Sequence, residues 1–523
     1  MASSSRSSTE QLPPSSQEQA TDPRPSKLSH QHRLLLVPLL AAARSSNPEV
    51  ALRVLTSWAS SDSGLSNLVS DDNLLPDVLR FVQSLPPPEY LVLSLKLLRS
   101  LVAGETANQS AFIDFDGDGV VSAVLISAGL YPDPDPAIIG AGLQVLAVVS
   151  QAGEPHRLAI WDGFFPTLFL ALARVRSREV SDPLCMILYT CCYRIPALFA
   201  QLLAEEGIAI VAEIVKTVSL VGYEGGDWFK RILSMICLDE GGQLNFLFLR
   251  LHRIRGPDAD YKGKAVVVDD SFSSEQAYLL ATVVEIFREG MKDARTASVD
   301  FALCVLGILD DSAAAYVLDH VSGGKCGHFP TGDASIDVLG YSLTILKHLC
   351  DSAASEEEED DVVSSLLSRG LMETLLRLLR ELEGIPSATR REATTTTLCP
   401  YIGFRRDVVA TIGSCAYRRK HVQDRIRKCD GILLLLQQCH VVDDDDNPFL
   451  REWGIWTMRN LLEGNVENQN VLGELVIQGI VHVPDELWGR GVTVEVDRKS
   501  GRAWIVNASS SSSSSGSTKI KLD

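Results

Sequence analysis

The apolar residues of this chain gather in runs of about 10 to 16, mostly Leu, Val, Ala and Ile at three- and four-residue spacing, the period of a helix with one buried face. PLCMILYTCCYRIPALFAQLL (183–203), LMETLLRLL (371–379) and ILLLLQQC (432–439) are examples. Regularly spaced short strands are missing, and aromatic residues make up only 7% of the chain, so an all-α fold is expected. One segment differs. GVTVEVDRKSGRAWIVN (491–507) alternates apolar and polar residues around a DRKSG turn and predicts a short β-hairpin capping the end of the helical array. Residues 1–27 are rich in Ser, Pro, Gln and Thr, and residues 508–523 hold a polyserine run. Neither segment has the bulky apolar side chains that offset ordering entropy, and both are expected to be disordered.

Between these ends the pattern repeats. Residues 99–119 begin RSLVAGETANQ and end in Gly119, and residues 459–479 begin RNLLEGNVENQ and end in Gly479. An apolar helix start follows each glycine, as it also follows Gly163, Gly207, Gly370 and Gly431. From Asn73 to 119, 163 and 207 the steps are 46, 44 and 44 residues, and from 431 to 479 the step is 48. A period of about 40 to 47 residues is that of armadillo and HEAT repeats. The expected architecture is an armadillo/HEAT-like right-handed α-solenoid, with helical repeats over 28–400 and further C-terminal repeats over 403–490. Each apolar last helix would be buried by stacking on its neighbour. Gly or Asn before it would supply the positive φ of a tight turn. The register weakens over 240–345, where loops such as RGPDADYKGKAVVVDDSFSSE interrupt the spacing as insertions between repeat helices.

The net charge of −19 disfavours nucleic acid as a partner, because phosphate binding needs clustered Lys and Arg. The acidic tracts 356–361 (EEEEDD) and 443–446 (DDDD) read as solvated loops. The apolar run Leu34 to Ala43 contains Pro38 and is too short to span a bilayer, so neither a membrane anchor nor a signal peptide is expected. The 11 cysteines are then expected to be reduced, in the cytoplasm or the nucleus. Cys237, Cys304, Cys350 and Cys415 read as small core residues, and the N-x-S matches at Asn108 and Asn507 as incidental.

Candidate chemistry is sparse. DFDGDG (114–119) matches the first six positions of a calcium loop, but position twelve is Leu125 in place of the bidentate Glu, and a polar turn is the expected reading. Cys326, His328 and His320 lack the second ligand pair that a zinc site requires. Cys191 and Cys192 stand in an apolar run with no neighbouring His to activate a thiolate. No Walker loop, dinucleotide fingerprint, G-x-S-x-G or H-E-x-x-H occurs. The expectation is a non-enzymatic protein with no cofactor, no metal and no small-molecule substrate.

The richest stretch is NPFLREWGIWTMRNLLEGNVENQNVL (447–472). Asn447 suits a helix cap, Pro448 the first helical position and Gly464 the end, giving a helix of about sixteen residues. Gly454 would let a neighbouring helix approach. Glu452, Trp453, Trp456, Arg459, Asn460 and Glu463 are the candidate protein-binding residues, with Arg459 placed to pair with Glu463. Trp456, Asn460 and Gly464 show a W-x-x-x-N-x-x-x-G spacing similar to that of nuclear-import receptors, whose Trp and Asn arrays grip extended basic peptides. Here the matching positions are Lys96 and Ser100 in the early copy and Ala410 and Ser414 in the preceding repeat, so no array forms. Packing between repeats and a partner-binding surface both remain open for the tryptophans, with import-receptor-like cargo carriage as the alternative function.

From Gly403 to Leu472 the chain resembles the C-terminal conserved domain of the ataxin-10 family. The resemblance rests on F-R-R-D, I-G-x-x-x-Y-R, G-I-L-L-L-L-Q-Q-C, D-D-x-N-P-F-L-R-E-W and R-N-L-L-E-G-N-x-E-N-Q, and the terminal V-E-V-D-R-K-S-G-R-A-W-I-V-N looks like the end of plant members. It implies an armadillo-like, non-enzymatic scaffold of the cytoplasm that acts through protein partners and self-association. A role in cell division is what it implies for a plant-like member, since neurite growth and most cilia are animal contexts. It brings no catalytic residues.

Overall fold

The computed structural model describes residues 49, 53, 74–104, 106–131, 133–222, 227–239, 242–252, 272–291, 297–319, 327–352, 362–382, 399–439, 446–475, 492–496, 503–507 and 520–521. The chain divides into two compact units, 1–195 and 196–523. The first contains α1 (Leu74–Gln83), α2 (Pro88–Val102), α3 (Thr106–Asp114), α4 (Gly117–Val124), α5 (Pro136–Val149), α6 (Glu154–Phe164), α7 (Thr167–Ala173) and α8 (Arg178–Cys192), with a π-helical turn at Leu125–Leu130. Here α2, α5 and α8 pack side by side. They begin at 88, 136 and 178, so the steps are 48 and 42 residues.

The second unit contains α9 (Pro196–Leu203), α10 (Glu205–Val221), α11 (Trp228–Leu238), α12 (Leu244–Leu251), α13 (Ser274–Arg288), α14 (Val299–Asp319), α15 (Ala334–Ser352), α16 (Val362–Ser368), α17 (Leu371–Leu382), α18 (Phe404–Ala416), α19 (Lys420–Lys428), α20 (Gly431–Gln438), α21 (Leu450–Leu462) and α22 (Val466–Gly473). Its continuous row is α10, α13, α15, α18 and α21, each packed on the next. The steps from α13 to α15 and α15 to α18 are 60 and 70 residues (274, 334, 404), and the last, 404 to 450, returns to 46. The segment from 404 onward therefore continues the row that precedes it. Beyond it, β1 (Val492–Val496) and β2 (Ala503–Asn507) pair antiparallel with Val492 opposite Asn507. Within the tail expected to be disordered, β3 (Ile520–Lys521) pairs with Ile505 and Trp504.

Local chemistry sets the helix starts. Asp135 caps α5 by accepting from the Ala137 and Ile138 amides, with Pro136 at the first position. Ser273 and Gln276 form a reciprocal capping box on α13. The links after α2, α8, α18 and α21 are turns of type II geometry. Their first central residue is Ala103, Tyr193, Tyr417 or Glu463, with φ of −71, −63, −61 and −64° and ψ of 114 to 123°. Their second is Gly104, Arg194, Arg418 or Gly464, with φ of +80, +63, +55 and +70°.

A hydrogen bond over seven residues pins the turns after α2, α18 and α21, and another of the same span pins the turn after α5. Asn108 donates to the Leu101 carbonyl at 2.9 Å, Arg157 to Ser150 at 3.1 Å, Gln423 to Ala416 at 3.3 Å and Asn468 to Leu461 at 3.0 Å. Asn108 and Asn468 are the matching Asn of the two sequence copies, each satisfying a carbonyl that the end of a helix leaves open.

The conserved-spacing glycines work differently from the expectation. Gly119 and Gly163 lie inside α4 and α6, and Gly207 and Gly431 open α10 and α20. The left-handed residues at these joins are Asp116 (φ +56°) and Asp430 (φ +54°), and of the expected glycines that are described only Gly370 (φ +104°) has positive φ. What Gly207 and Gly431 provide is clearance. A Cβ on Gly207 would lie 2.2 Å from the Leu202 carbonyl oxygen, and one on Gly431 2.8 Å from the Ile426 side chain. The helix after the glycine is also not the last of its unit, because α5 follows α4 and α21 follows α20. Asn73 and Gly479 lie outside the described residues, as do 1–27.

His156 is buried in the first unit, with Nε2 3.2 Å from Ser110 Oγ and Nδ1 without a hydrogen-bond partner among the described residues. Burial lowers its pKa, and the nearby Asp114 carboxylate offsets part of that shift. A His with a lowered folded pKa costs no stability above its unfolded value of about 6.5 and progressively more as pH falls below it. Thermal melts of the wild type should therefore drop between about pH 7.5 and pH 5.5 more steeply than those of His156→Gln. Equal slopes would show that His156 does not carry the acid sensitivity.

Candidate protein-interaction face

Helix α21 begins later than its sequence suggests. It spans 13 residues from Leu450, and Phe449 precedes it in the left-handed region at φ +66°. Asn447 caps a different helix. Its Oδ1 accepts from the Arg405 backbone amide at 3.2 Å, in the first turn of α18, while the Gly403 amide donates to the Asp446 carbonyl at 2.7 Å. This anchors the loop before α21 against the start of α18, so Pro448 and Phe449 complete the turn outside the helix.

Trp453 and Trp456 are both half-buried and meet edge to face, with centroids 5.2 Å apart at 85°. Lys347 of α15 places Nζ 5.5 Å from the Trp453 ring, within reach of a cation–π interaction. Trp456 packs over Gly413 of α18, where a Cβ would lie 2.8 Å from its Cζ3 and 2.5 Å from Thr457 Oγ1. Thr457 Oγ1 donates to the Val409 carbonyl at 3.0 Å, and Asn460 Nδ2 to the Gly413 carbonyl at 3.1 Å. The expected close approach at Gly454 is present too, 3.1 Å from the Gln438 backbone for an added Cβ. At the start of α18, Tyr401, just before the helix, donates to Asp407 at 3.1 Å, and Arg406 pairs with Asp407 at 2.7 Å. Burial nevertheless pushes the Asp407 carboxyl up.

The six sequence candidates separate by environment. Asn460 is only 2% exposed, and its amide is committed to Gly413. Glu452, Arg459 and Glu463 are exposed, and with Ile455 they form a stripe beside the two tryptophans. Among the described residues no ion pair joins Arg459 to Glu463. The contact between these residues is the Glu463 amide donating to the Arg459 carbonyl at 2.9 Å, which closes the helix.

Under the face lies a buried polar network. Gln423 Nε2 donates to the Asn460 carbonyl at 2.9 Å, and Asn465 Nδ2 donates to Gln423 Oε1 at 3.1 Å and Asp424 Oδ1 at 3.0 Å. Arg427 donates to Asn468 Oδ1 at 2.6 Å, and Asn468 Nδ2 donates to the Gln423 carbonyl at 3.2 Å. Burial raises the Asp424 pKa, but the Asn465 and Arg427 hydrogen bonds outweigh it and hold the carboxyl below its usual range. Sequence reasoning missed Lys347, Gly413, Thr457 and Gln423, whose partners lie 37 to 106 residues away. Only Asn468 had a signal, its match to Asn108.

The other candidates carry no site. Asp114 ends α3, while Asp118 and Gly119 lie in α4, so the calcium-like hexapeptide is largely helical. Among the described residues no three His, Cys, Asp or Glu side chains converge on a metal position. Cys326 and His320 lie outside the described residues. Cys191, Cys192, Cys237, Cys350 and Cys415 are buried, and Cys304 is partly so. Burial pushes the Cys191 thiol up to about 12 and the Cys304 thiol up to about 11, far from a reactive thiolate. Among the described residues no helix is long and apolar enough to cross a membrane.

Rows of stacked helices define an all-helical array, and a charged stripe lies exposed beside the two half-buried tryptophans. Residues 404–505 match the family described as the spinocerebellar ataxia type 10 protein domain. The chain is 22% identical to ataxin-10 of Macaca fascicularis over 420 residues, which is 77% of this chain and 79% of that protein. It is 25% identical to ataxin-10 of Xenopus tropicalis over 360 residues, 66% of each chain. An ataxin-10 homolog of Dictyostelium discoideum is 37% identical over 94 residues, 18% of this chain and 15% of that one. Residues 404–505 are therefore of the ataxin-10 domain type, and the likeness to ataxin-10 proteins extends upstream of them.

Proposed function

We propose that this protein is a non-enzymatic armadillo-type scaffold, and that partner proteins bind across α15, α18 and α21 at Trp453, Trp456, Glu452, Arg459 and Glu463. The observation that carries the reading is the mounting of the two half-buried tryptophans. They sit on a helix locked to its neighbour through Thr457 and Asn460 and lie next to an exposed charged stripe. Rigid aromatic anchors beside Arg are the composition of interface hot spots, and a pre-organised surface loses little entropy on binding. The row spacings of 48, 42 and 46 residues support armadillo-type repeats, and the β1–β2 hairpin is assigned as their terminal cap. The family resemblance extends the proposal to a cytoplasmic role in cell division, with self-association as part of it. Import-receptor-like carriage is the weaker reading, because it needs the Asn460 amide that Gly413 already occupies.

The test is affinity capture with mass spectrometry from cells expressing the full chain, Trp453→Ala or Arg459→Glu, after circular dichroism has shown matching melts. Partners lost in both variants are the expected result. An unchanged partner set would assign the tryptophans to packing alone.

A further inference from the structure

Helix α19 carries a charge pattern opposite to that of the whole chain. Residues 418–430, RRKHVQDRIRKCD, contain six Arg and Lys against two Asp, a local excess of 6 − 2 = 4 positive charges in a chain of net charge −19. Arg425, Arg427 and Lys428 stand in the last turn of α19, where the helix dipole favours cations. Arg418 and Lys420 stand at the other end, where the same dipole opposes them.

Arg419, between them, has a structural task. It is buried and donates to the Ser414 and Cys415 carbonyls at 3.2 and 3.5 Å, closing the end of α18. Arg418 and Lys420 face solvent. The Arg418 guanidinium lies 5.1 Å from the ring of Tyr417, itself exposed. Lys420 is 3.8 Å from Glu467 with both side chains more than half exposed, a pair that contributes little.

A second observation comes from the backbone. Arg418 holds φ +55° at a turn position that is glycine at 104 and 464 and arginine at 194, where glycine would adopt the conformation without strain. Non-glycine residues kept in this region cluster at binding sites. The turn delivers Tyr417 and Arg418 to the head of a face formed by Lys420, His421, Arg425 and Lys428, all exposed. His421 is tied to Ser364 of α16 at 3.3 Å, and Arg425 pairs with Glu373 of α17, so the face is braced from beneath.

We infer that Tyr417, Arg418, Lys420, His421, Arg425 and Lys428 form a docking surface for a short acidic peptide segment of a partner protein. The inference rests on the reading of this chain as a protein-interaction scaffold, but on a surface other than the tryptophan face. From Lys420 to Lys428 the helix advances about 12 Å, which an extended peptide crosses in about four residues. An extended polyanion such as a nucleic acid duplex or an anionic bilayer would also meet Glu373, Asp430 and Glu467 around the patch, within a Debye length of about 8 Å. A short peptide avoids that repulsion.

The test is fluorescence anisotropy of a fluorescein-labelled Glu/Asp peptide of about ten residues with the full chain, at about 50 and about 300 mM salt. Saturable binding weakened by salt is expected, and Arg418→Gly/Lys420→Glu should weaken it by at least about tenfold. The double variant should melt like the wild type, since glycine suits the turn, so lost binding could not be ascribed to unfolding. Trp453→Ala should bind the peptide normally. Unchanged affinity in the double variant would overturn the inference. Loss in Trp453→Ala alone would overturn it as well, and would move acidic-peptide binding to the tryptophan face with the scaffold reading intact. Binding to phosphatidylserine vesicles without binding to the peptide would overturn it in favour of a membrane surface. No peptide binding by the wild type, alongside partners lost in Trp453→Ala, would also sink it while leaving the scaffold reading in place.

Discussion

Replacing Gly413 by Val is expected to destabilise the second unit by about 3 kcal/mol, near the upper end of the usual cost of overpacking. The new Cβ would lie 2.5 Å from Thr457 Oγ1 and 2.8 and 3.0 Å from two carbons of the Trp456 ring. Neither neighbour is a free chain end. Thr457 is fixed by its bond to the Val409 carbonyl, and the Trp456 ring is wedged against Trp453. Helix α21 must therefore move away from α18, which also stretches the Asn460 bond to the Gly413 carbonyl. Valine improves on glycine's poor helix propensity by only a few tenths of a kcal/mol, too little to compensate. Urea unfolding followed by tryptophan fluorescence measures the loss. Trp456→Ala in the same chain should recover part of it, because the two sites share one contact. A Gly413→Val protein as stable as the wild type would show that α21 is not clamped to α18 at this point.

The second large effect is expected at Asn468→Ala. Its amide donates to the Leu461 carbonyl at 3.0 Å and the Gln423 carbonyl at 3.2 Å, and its oxygen accepts from Arg427 at 2.6 Å. Alanine would leave two carbonyls short of a partner at a site with no exposed surface, while the Arg427 guanidinium would keep its bond to Asp424. Buried polar groups left this way cost about 1 to 3 kcal/mol each, and with water entering the gap a total of about 3 kcal/mol is expected. Asn468→Asp should be milder at neutral pH, because a carboxylate still accepts from Arg427 although it can no longer donate. Equal melting of Asn468→Ala and wild type would mean that the turn after α21 holds without its side-chain bond. Asn108→Ala provides the matching test in the first unit, at the bond to the Leu101 carbonyl.

These two residues also mark what was legible in the chain. The pairing of Asn108 with Asn468 followed from two 21-residue windows with the same spacing, and the structure gives it a cause, the same seven-residue hydrogen bond at the same turn. Gly413 has no such signature. Its role is fixed by Trp456 and Thr457, 43 and 44 residues further on, and by a distance between helices that no local pattern encodes. Asn447 is an intermediate case. Its residue type correctly announced a cap, but it caps the helix 42 residues earlier in the chain, because the loop is tied to Gly403.

The sequence by itself determined the helical class, the two matching turn windows and the C-terminal likeness to ataxin-10, because apolar spacing and turn residues act over a few positions. Only the tertiary structure decided which polar residues face inward. Asn460 and Arg459 are neighbours on one helix and both read as candidate contacts, yet one is spent on the Gly413 carbonyl and the other points to solvent. The physical reason is that one residue turns the helix face by about 100°, so the packing of α21 on α18 assigns each side chain to its environment. The exposed basic face of α19 was hidden in the same way. A run of Arg and Lys says nothing of its partners until buried Arg419 is separated from exposed Arg418 and Lys420.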